Sequence, residues 1–476
     1  MSMPDLISGP PMSRRRMLQQ SAAGFGWLAA SAFMAQAGEN GTAADPLAPK
    51  QPHFQPRAKR MIFLFMKGGP SHVDTFDPKP LLDRDDGKPF PGEKPRVQFA
   101  PTSELLKSPW KFKNYGRSGL PVSDLFPHVA RCVDDLCIIR SLHGTNAAHG
   151  GAVLKLHTGS DNFVRPSMGS WITYGLGSEN QNLPGFITIC PTFAHGGANN
   201  WGAAFLPAAY QGTPLGNATV PAREVAVRHI RNSRLTPAQQ RAQIDLIGQM
   251  NRDHLRHTGP NLALEGRLNS FELAFRMQMA MPEAQDISGE SEATRKLYGL
   301  DDKVTENFGR QCLLARRFAE RGVRFIQVTH SDGEVQWDQH GNLRKGHAKN
   351  AMEVDKPIAG LLADLKATGL LEDTLVIWGG EFGRTPTAQG GPDGRDHNPE
   401  GFTMWLAGAG VKAGTAYGAT DDYGWFATEN KVHLHDLHAT ILAMLGLDHE
   451  RLTYQHAGRN FRLTDVSGHV VTDIFA

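Results

Sequence analysis

The sequence predicts an α/β fold, a mostly parallel sheet sandwiched by helices, and three observations carry that reading. Residues 61–66 (MIFLFM) and 374–378 (TLVIW) are near-continuous apolar runs, the pattern of strands buried on both faces. A segment of helical period at 345–368 separates the strand at 323–328 from the one at 374–378. That is a βαβ unit, and right-handed crossover puts the loops after both strands at one edge of the sheet. Those loops concentrate acids and histidines, where open α/β sheets place their sites.

Taken in order, residues 1–37 read as a twin-arginine export signal. Ser13-Arg14-Arg15-Arg16-Met17-Leu18 precedes an alanine-rich, mildly apolar stretch at 21–34, and Ala35-Gln36-Ala37 supplies small residues for cleavage. This implies the twin-arginine export machinery as a partner and the periplasm or another extracytoplasmic space as destination. No stretch reaches about 18 continuous apolar residues, so no stable membrane span is expected. Residues 38–57, rich in Gly, Ala, Pro and Gln, read as a linker. Residues 58–476 form the α/β domain, with a helical insertion at about 236–322.

The first strand, 60–66, runs into Lys67-Gly68-Gly69-Pro70 and then His72 and Asp74. Residues 80–121 read as an irregular excursion, and 124–133 as a short helix capped near Ser123. A second strand at 136–141 leads into a polar loop, His143 to Gly151, and a helix ending at Gly159. Residues 186–189 are a third strand. Thr236-Pro237 opens the helical stretch, a capping residue with proline in the first turn; helical spacing covers 238–257, 262–281 and 307–321. The helix at 345–368 turns Ile358, Leu361, Leu362 and Leu365 to one face and stops at Gly369. Residues 380–398 read as a glycine-rich loop, 402–406 as another strand and 435–445 as a closing helix. Short strands or coil finish the chain.

Composition excludes several classes. The 476 residues carry 50 basic and 48 acidic side chains, a formal charge of +2, which gives no electrostatic case for nucleic acid. The four cysteines show no C-x-x-C pair, so a thiolate metal site is not indicated, while a disulfide is open to an exported chain. Neither a phosphate-binding G-x-x-x-x-G-K-[ST] loop nor a G-x-S-x-G elbow occurs.

The 20 histidines are spread along the chain, and four strand-end loops gather them with acids. These are His72 with Asp74, Asn146 with His149, Asp338 with His340, and Glu381 with Asp396 and His397. Mixed imidazole and carboxylate donors suit one or two divalent ions such as zinc, manganese or calcium, with His72, Asp74, Asp338, His340, Glu381, Asp396 and His397 as candidate ligands. Two ions would clamp the attacking and leaving oxygens of an ester displacement. Arg384 or Lys79 would bind an anionic oxygen, unless Arg384 forms a structural bridge to Glu381. His433, His435 and His438 surround a helix start and read as structural.

The stretches LLADLKATGLLEDTLVIWGGEFGRTP and MIFLFMKGGPSHVDTFDPKP, with the twin-arginine leader, resemble an exported bacterial family, the domain of unknown function 1501, from about residue 58 to the C-terminus. The resemblance implies an alkaline-phosphatase/sulfatase-like fold. It also implies a metal-dependent hydrolase of sulfate or phosphate esters, acting on a small-molecule or polysaccharide substrate. Glu381 stands near the sulfatase metal-binding acid, His397 is similar to the later histidine or lysine of that site, and 435–446 is similar to the late sulfatase helix. The loop 141–159 lies where sulfatases carry their nucleophile. There His149 falls about at the nucleophile position, with Thr145 and Ser141 as the nearest hydroxyls, so either His149 or Thr145 is the expected catalytic group or a metal-bound water attacks directly. Three departures stand out: Lys67-Gly68-Gly69 replaces the paired acids after the first strand, the C/S-x-P-x-R motif is missing, and Phe382 replaces a histidine. The rival expectation is a non-catalytic binding or structural protein of the cell envelope that retains the fold.

Overall fold

The computed structural model describes residues 45–95, 100–227, 230, 232–259, 261–331, 336–389 and 391–476; the expected export signal lies outside them. The chain divides into Met1–Pro46 and Leu47–Ala476, and every element named below belongs to the second unit. The strands of the main sheet are β1 (Arg60–Met66), β2 (Leu136–His143), β3 (Phe186–Ile189), β4 (Thr213–Leu215), β5 (Phe325–His330) and β6 (Thr374–Gly379). After a hairpin of β7 (Gly383–Ala388) and β8 (Arg395–Asn398) come β9 (Phe402–Ala407), β10 (Thr415–Tyr417) and β11 (Val432–His433). The longer helices are α1 (His149–Thr158), α2 (Met168–Leu176), α3 (Pro237–Thr258), α4 (Leu262–Gln285), α5 (Glu306–Glu320), α6 (Leu343–Ala367) and α7 (Leu434–Met444).

Among the described residues the sheet has nine strands in the order β10-β2-β9-β6-β1-β5-β3-β4, with β11 added to β2. β1 is hydrogen-bonded in parallel to β5 on one side and β6 on the other, with Met66 opposite His330. This explains why all seven residues of RMIFLFM are buried: helices cover both faces of a central strand. Burying each of Phe63 and Phe65 contributes roughly 1.5–3 kcal/mol. β9 runs antiparallel to both of its neighbours, β2 and β6, which leaves β2 parallel to the rest. The carboxyl ends of β1, β2, β5 and β6 therefore share one edge, as the crossover rule requires.

Helix α6 buries Val354, Ile358, Leu361 and Leu365 along one stripe and lies beside α5, whose Phe308, Cys312 and Phe318 are buried. Gly369 follows α6 in the left-handed conformation, φ 75°. α3 opens with a capping box between Thr236 and Gln239 and buries none of its residues. Residues 47–57 form no helix or strand but are strapped down, with Lys50 Nζ donating to the Tyr174 carbonyl (2.7 Å). All four cysteines are free thiols, and among the described residues no helix is long and apolar enough to cross a membrane.

Three expectations are corrected. The helix expected at 124–133 is instead a 3-10 stretch, Val129–Asp135, because Pro127 lacks a donor and the Asp355 carboxylate takes the backbone N–H groups of His128 and Val129 (2.8 and 2.7 Å). The strand expected at 323–328 is Phe325–His330, since pairing with β1 continues two residues further. The glycine-rich loop at 380–398 holds the β7–β8 hairpin, in whose two strands every residue is buried and His397 lies opposite Arg384.

Candidate metal centre

The centre lies at the carboxyl edge of the sheet and draws on three strand-end loops. β2 leads into α1, whose first residue is His149. The segment after β5 carries Asp338 and His340. The segment after β6 carries Glu381, and the hairpin brings back His397.

Asp338 is the point of convergence. Its Oδ2 lies 3.1 Å from His149 Nε2. Its Oδ1 lies 3.0 Å from His340 Nε2 and 3.0 Å from His397 Nε2. The two Nε2 atoms of His340 and His397 are themselves 3.1 Å apart. Arg384, fully buried, donates from its guanidinium to Asp338 Oδ1 (2.6 Å) and to the carbonyls of Gly69 (3.0 Å) and Arg395 (3.3 Å), and also reaches the carbonyl of Gly68. Arg384 thus pairs with Asp338, not with Glu381.

The far side of each imidazole fixes where its proton sits. His397 Nδ1 donates to the Ala147 carbonyl (2.6 Å). His149 Nδ1 donates to Glu381 Oε1 (2.7 Å), a carboxylate that also accepts from Gly68 N–H at 3.0 Å. His340 Nδ1 faces Gln389 Oε1, whose amide nitrogen is turned to the Ala100 carbonyl. With Nδ1 protonated, a neutral imidazole at each position turns a bare Nε2 lone pair toward one carboxylate. Acceptor would then face acceptor at about 3 Å, which is repulsive unless a cation lies between them or a ring takes a second proton, the direction in which Asp338 and Glu381 push His149 against its burial and Asp338 pushes His340. This is the arrangement of metal-ligating histidines, each oriented by an acceptor on its other nitrogen. The spacings also approach the ligand–ligand edge, roughly 3.3 Å, of a tetrahedral shell with bonds of about 2.0–2.1 Å. The donor set therefore fits a divalent ion. Two overlapping groups have donor atoms within 4.8 Å of one another: His149, Asp338, His397 and His340, Asp396, His397.

The protonation equilibria reflect the crowding. Burial would raise the Asp338 pKa, but the Arg384 charge, with Nε2–H donation from His149, His340 and His397 in their metal-free state, holds it far below the usual carboxylate range. Burial likewise opposes ionisation of Glu381, and His149 overrides it to keep that carboxyl low. Burial, opposed by Asp338, leaves His397 at about 4.

Of the residues expected from sequence, His149, Asp338, His340 and His397 come together, with Glu381 behind His149. Asp396 accepts from the backbone N–H of His397 (2.8 Å) and stands 3.7 Å from His340 Nδ1. His72 and Asp74 are not brought to the cluster. His72 Nε2 donates to the Gly424 carbonyl (2.7 Å), and Asp74 is paired with Arg395 at 2.7 and 3.1 Å, both side chains fully buried. The loop after β1 serves through its backbone instead. A Cβ on Gly68 (φ 107°) would stand 2.7 Å from Trp337 N and 2.8 Å from Asp338 N, so glycine there lets the Asp338 segment close on the strand end. Thr145 is exposed on the wall of a cleft of about 480 Å³ that it shares with Asn146, Asp396, His397 and Trp425.

Sequence reasoning missed Gln389, the Gly68 N–H and His195. His195 stacks on His149 with ring centroids 4.9 Å apart, while Phe382 stacks on His397 at 4.4 Å. The signal for His195 was present: it follows strand β3 and precedes Gly196-Gly197, as His149 follows β2 and precedes Gly150-Gly151.

A family described as Protein of unknown function (DUF1501) matches residues 58–475. Among solved structures, the chain is similar to Ps i-CgsB, with TM-score 0.38, 11% identity and coverage of 82% of this chain and 72% of that one. It is similar to a protein in the alkaline phosphatase superfamily from Vibrio parahaemolyticus, with TM-score 0.36, 10% identity and coverage of 86% and 71%. It is also similar to PsFucS1 sulfatase from Pseudoalteromonas sp., with TM-score 0.34, 14% identity and coverage of 89% and 72%. No curated protein matches the sequence. Overlaps this loose say nothing about chemistry, which rests on the side chains.

Proposed function

We propose that this chain, which belongs to the DUF1501 family, is a metal-dependent hydrolase of sulfate or phosphate esters that works outside the cytoplasm. One observation carries the reading: three imidazoles, each with Nδ1 committed to an acceptor, aim Nε2 at a single carboxylate. His149, His340, His397 and Asp338 would hold one divalent ion. Zinc suits an imidazole-rich set better than calcium, which prefers all-oxygen shells. Such an ion polarises an ester oxygen and makes a water nucleophilic near neutral pH.

The chain's own residues then have distinct tasks. Glu381 fixes the ring and tautomer of His149. Arg384 holds the carboxylate of Asp338 in place. Asp396 ties down the backbone of His397. As a ligand, His149 is not the nucleophile, and the Thr145 hydroxyl, on the cleft wall, is placed to meet the alcohol part of a small-molecule or polysaccharide ester. The twin-arginine pattern at residues 13–18 supports export. A second reading has its own support: if all four protein donors close on one ion they leave no open position, as in structural sites. On that reading the chain is a non-catalytic envelope protein.

Metal analysis of protein purified in folded form comes first, with about one divalent ion per chain expected. Chains without bound metal would refute the centre. Cleavage of aryl sulfates and aryl phosphates is then compared with Glu381→Gln and His397→Ala. Activity that survives His397→Ala removes the hydrolase reading; bound metal without turnover of either ester favours the non-catalytic one.

A further inference from the structure

His195 has no role in holding the ion, yet its setting is unusual in three respects. Its backbone is left-handed, φ 53°, and the next two residues, Gly196 and Gly197, are left-handed too at 96° and 55°. A non-glycine residue in that region is uncommon and strained, and such strain gathers at functional sites. The ring stacks nearly parallel on His149, planes 10° apart, so it overlies a ligand of the proposed centre. Its Nδ1 is buried without a hydrogen-bond partner, while the ring as a whole is half-buried. The conformation is held in place: the Asn200 side chain donates to the His195 carbonyl (3.0 Å), and the backbone N–H of Ala194 donates to Thr192 Oγ1 (3.2 Å).

Stacking alone does not account for a histidine. Any aromatic ring would cover His149, and glycine would relax the backbone. What histidine adds is a second ring nitrogen. A buried N–H without an acceptor is rarer and more costly than a buried lone pair, so the proton belongs on Nε2, away from the buried Nδ1. With Nδ1 buried and the ring half-buried, an N–H on Nε2 of a ring stacked on His149 is a donor for an anionic oxygen.

We propose that His195 is a further catalytic residue of this site, its Nε2–H donating to an oxygen of the tetrahedral phosphate or sulfate group as the ester binds. The proposal rests on the metal-hydrolase reading above and names the group that positions the anion.

Two variants separate the donor from the ring and from the backbone. His195→Phe keeps the stack and removes the N–H; His195→Gly removes the ring and relieves the left-handed strain. Metal content, melting temperature and the affinity of metal-loaded protein for inorganic phosphate and sulfate, by calorimetry, are the readouts. Both variants are expected to retain metal and to lose roughly tenfold or more in anion affinity, the range of a hydrogen bond to a charged group. His195→Gly is expected to melt no lower than the parent. Anion affinity within about twofold of the parent in His195→Phe overturns the proposal. So does metal-loaded parent protein that binds neither anion, and so does loss of anion binding in His195→Gly alone with a lowered melting temperature, which marks a structural role. Parent protein without metal refutes the earlier reading and this one with it; metal uptake with unchanged affinity in His195→Phe refutes this one alone.

Discussion

Replacing Glu381 by glutamine tests the tautomer argument at its most exposed step. Glu381 is 1% exposed, and its carboxylate accepts from His149 Nδ1 at 2.7 Å and from Gly68 N–H at 3.0 Å. Glutamine has the same shape but cannot accept at both oxygens. If its amide oxygen stays on His149, its NH₂ group takes the place of Oε2, 3.2 Å from the Gly68 N–H, and donor meets donor. If the amide is turned, NH₂ faces His149 Nδ1 and drives the imidazole proton onto Nε2, the atom that should bind the ion. Partners of this kind change metal affinity by about 10- to 100-fold, or ~1.4–2.7 kcal/mol. Because bound metal stabilises the fold by mass action, the metal-dependent gain in stability should shrink by the same amount at fixed free metal. Competition against a chromophoric zinc chelator measures the affinity, and melts with and without metal measure the linkage, with His149→Ala as the control that deletes the ligand. Parental affinity in Glu381→Gln would mean that Glu381 does not set the tautomer of His149, and the case for three aligned lone pairs would fail with it.

Asp74→Asn leaves Arg395 charged and unpaired in a fully buried site, so it should destabilise the chain by ~3–5 kcal/mol in urea titrations while metal stoichiometry stays unchanged; lost metal without lost stability would return Asp74 to the ligand set. Gly68→Ala puts a methyl group against Trp337 N and Asp338 N at a left-handed position, adding ~1–3 kcal/mol of strain and weakening metal binding together, whereas an unchanged chelator titration would show that the Asp338 segment does not depend on that approach. Burial pushes His157 down to about 4 and His438 to about 3. The unfolded chain protonates both near 6.5, so their contribution is intact above that pH and is lost as pH falls toward about 4, by ~1.4 kcal/mol per pH unit for each. His157→Phe, in contact with Phe63 and Phe65, should flatten the fall in urea midpoint between about pH 6.5 and pH 4, and a slope unchanged from the parent contradicts the burial argument.

The strands of the sheet centre were legible because β1 after Arg60 and β6 after Thr374 are apolar runs, and helix α6 because its stripe has the helical period. The hairpin was not. Arg384, Thr385, Thr387, Arg395, Asp396 and Asn398 are all buried, so polarity no longer reports exposure and the stretch reads as a loop. The same limit explains His72 and Asp74. A carboxylate beside a strand end looks like a ligand until its partner is known, and the partner of Asp74 is 321 residues away. The part Gly68 plays is silent in the sequence because a backbone N–H leaves no mark there. His195 was passed over because its loop holds no acid, although strand, histidine and paired glycine repeat the pattern around His149.

The loop after β1 decides what kind of site this is. Where paired acids would bring negative charge to a metal centre, Lys67 and two glycines stand, and the glycines act as a frame. The Gly68 N–H steadies Glu381, and the Gly68 and Gly69 carbonyls hold the guanidinium that holds Asp338. If the imidazoles are neutral and the buried Lys67 ammonium is counted with Arg384, the carboxylates of Asp338, Glu381 and Asp396 outnumber the cations by one. A divalent ion reverses that balance to a single positive charge. On the proposed hydrolase reading these charges would favour metal binding before an anionic ester, and phosphate titrations of metal-free and metal-loaded protein check that order.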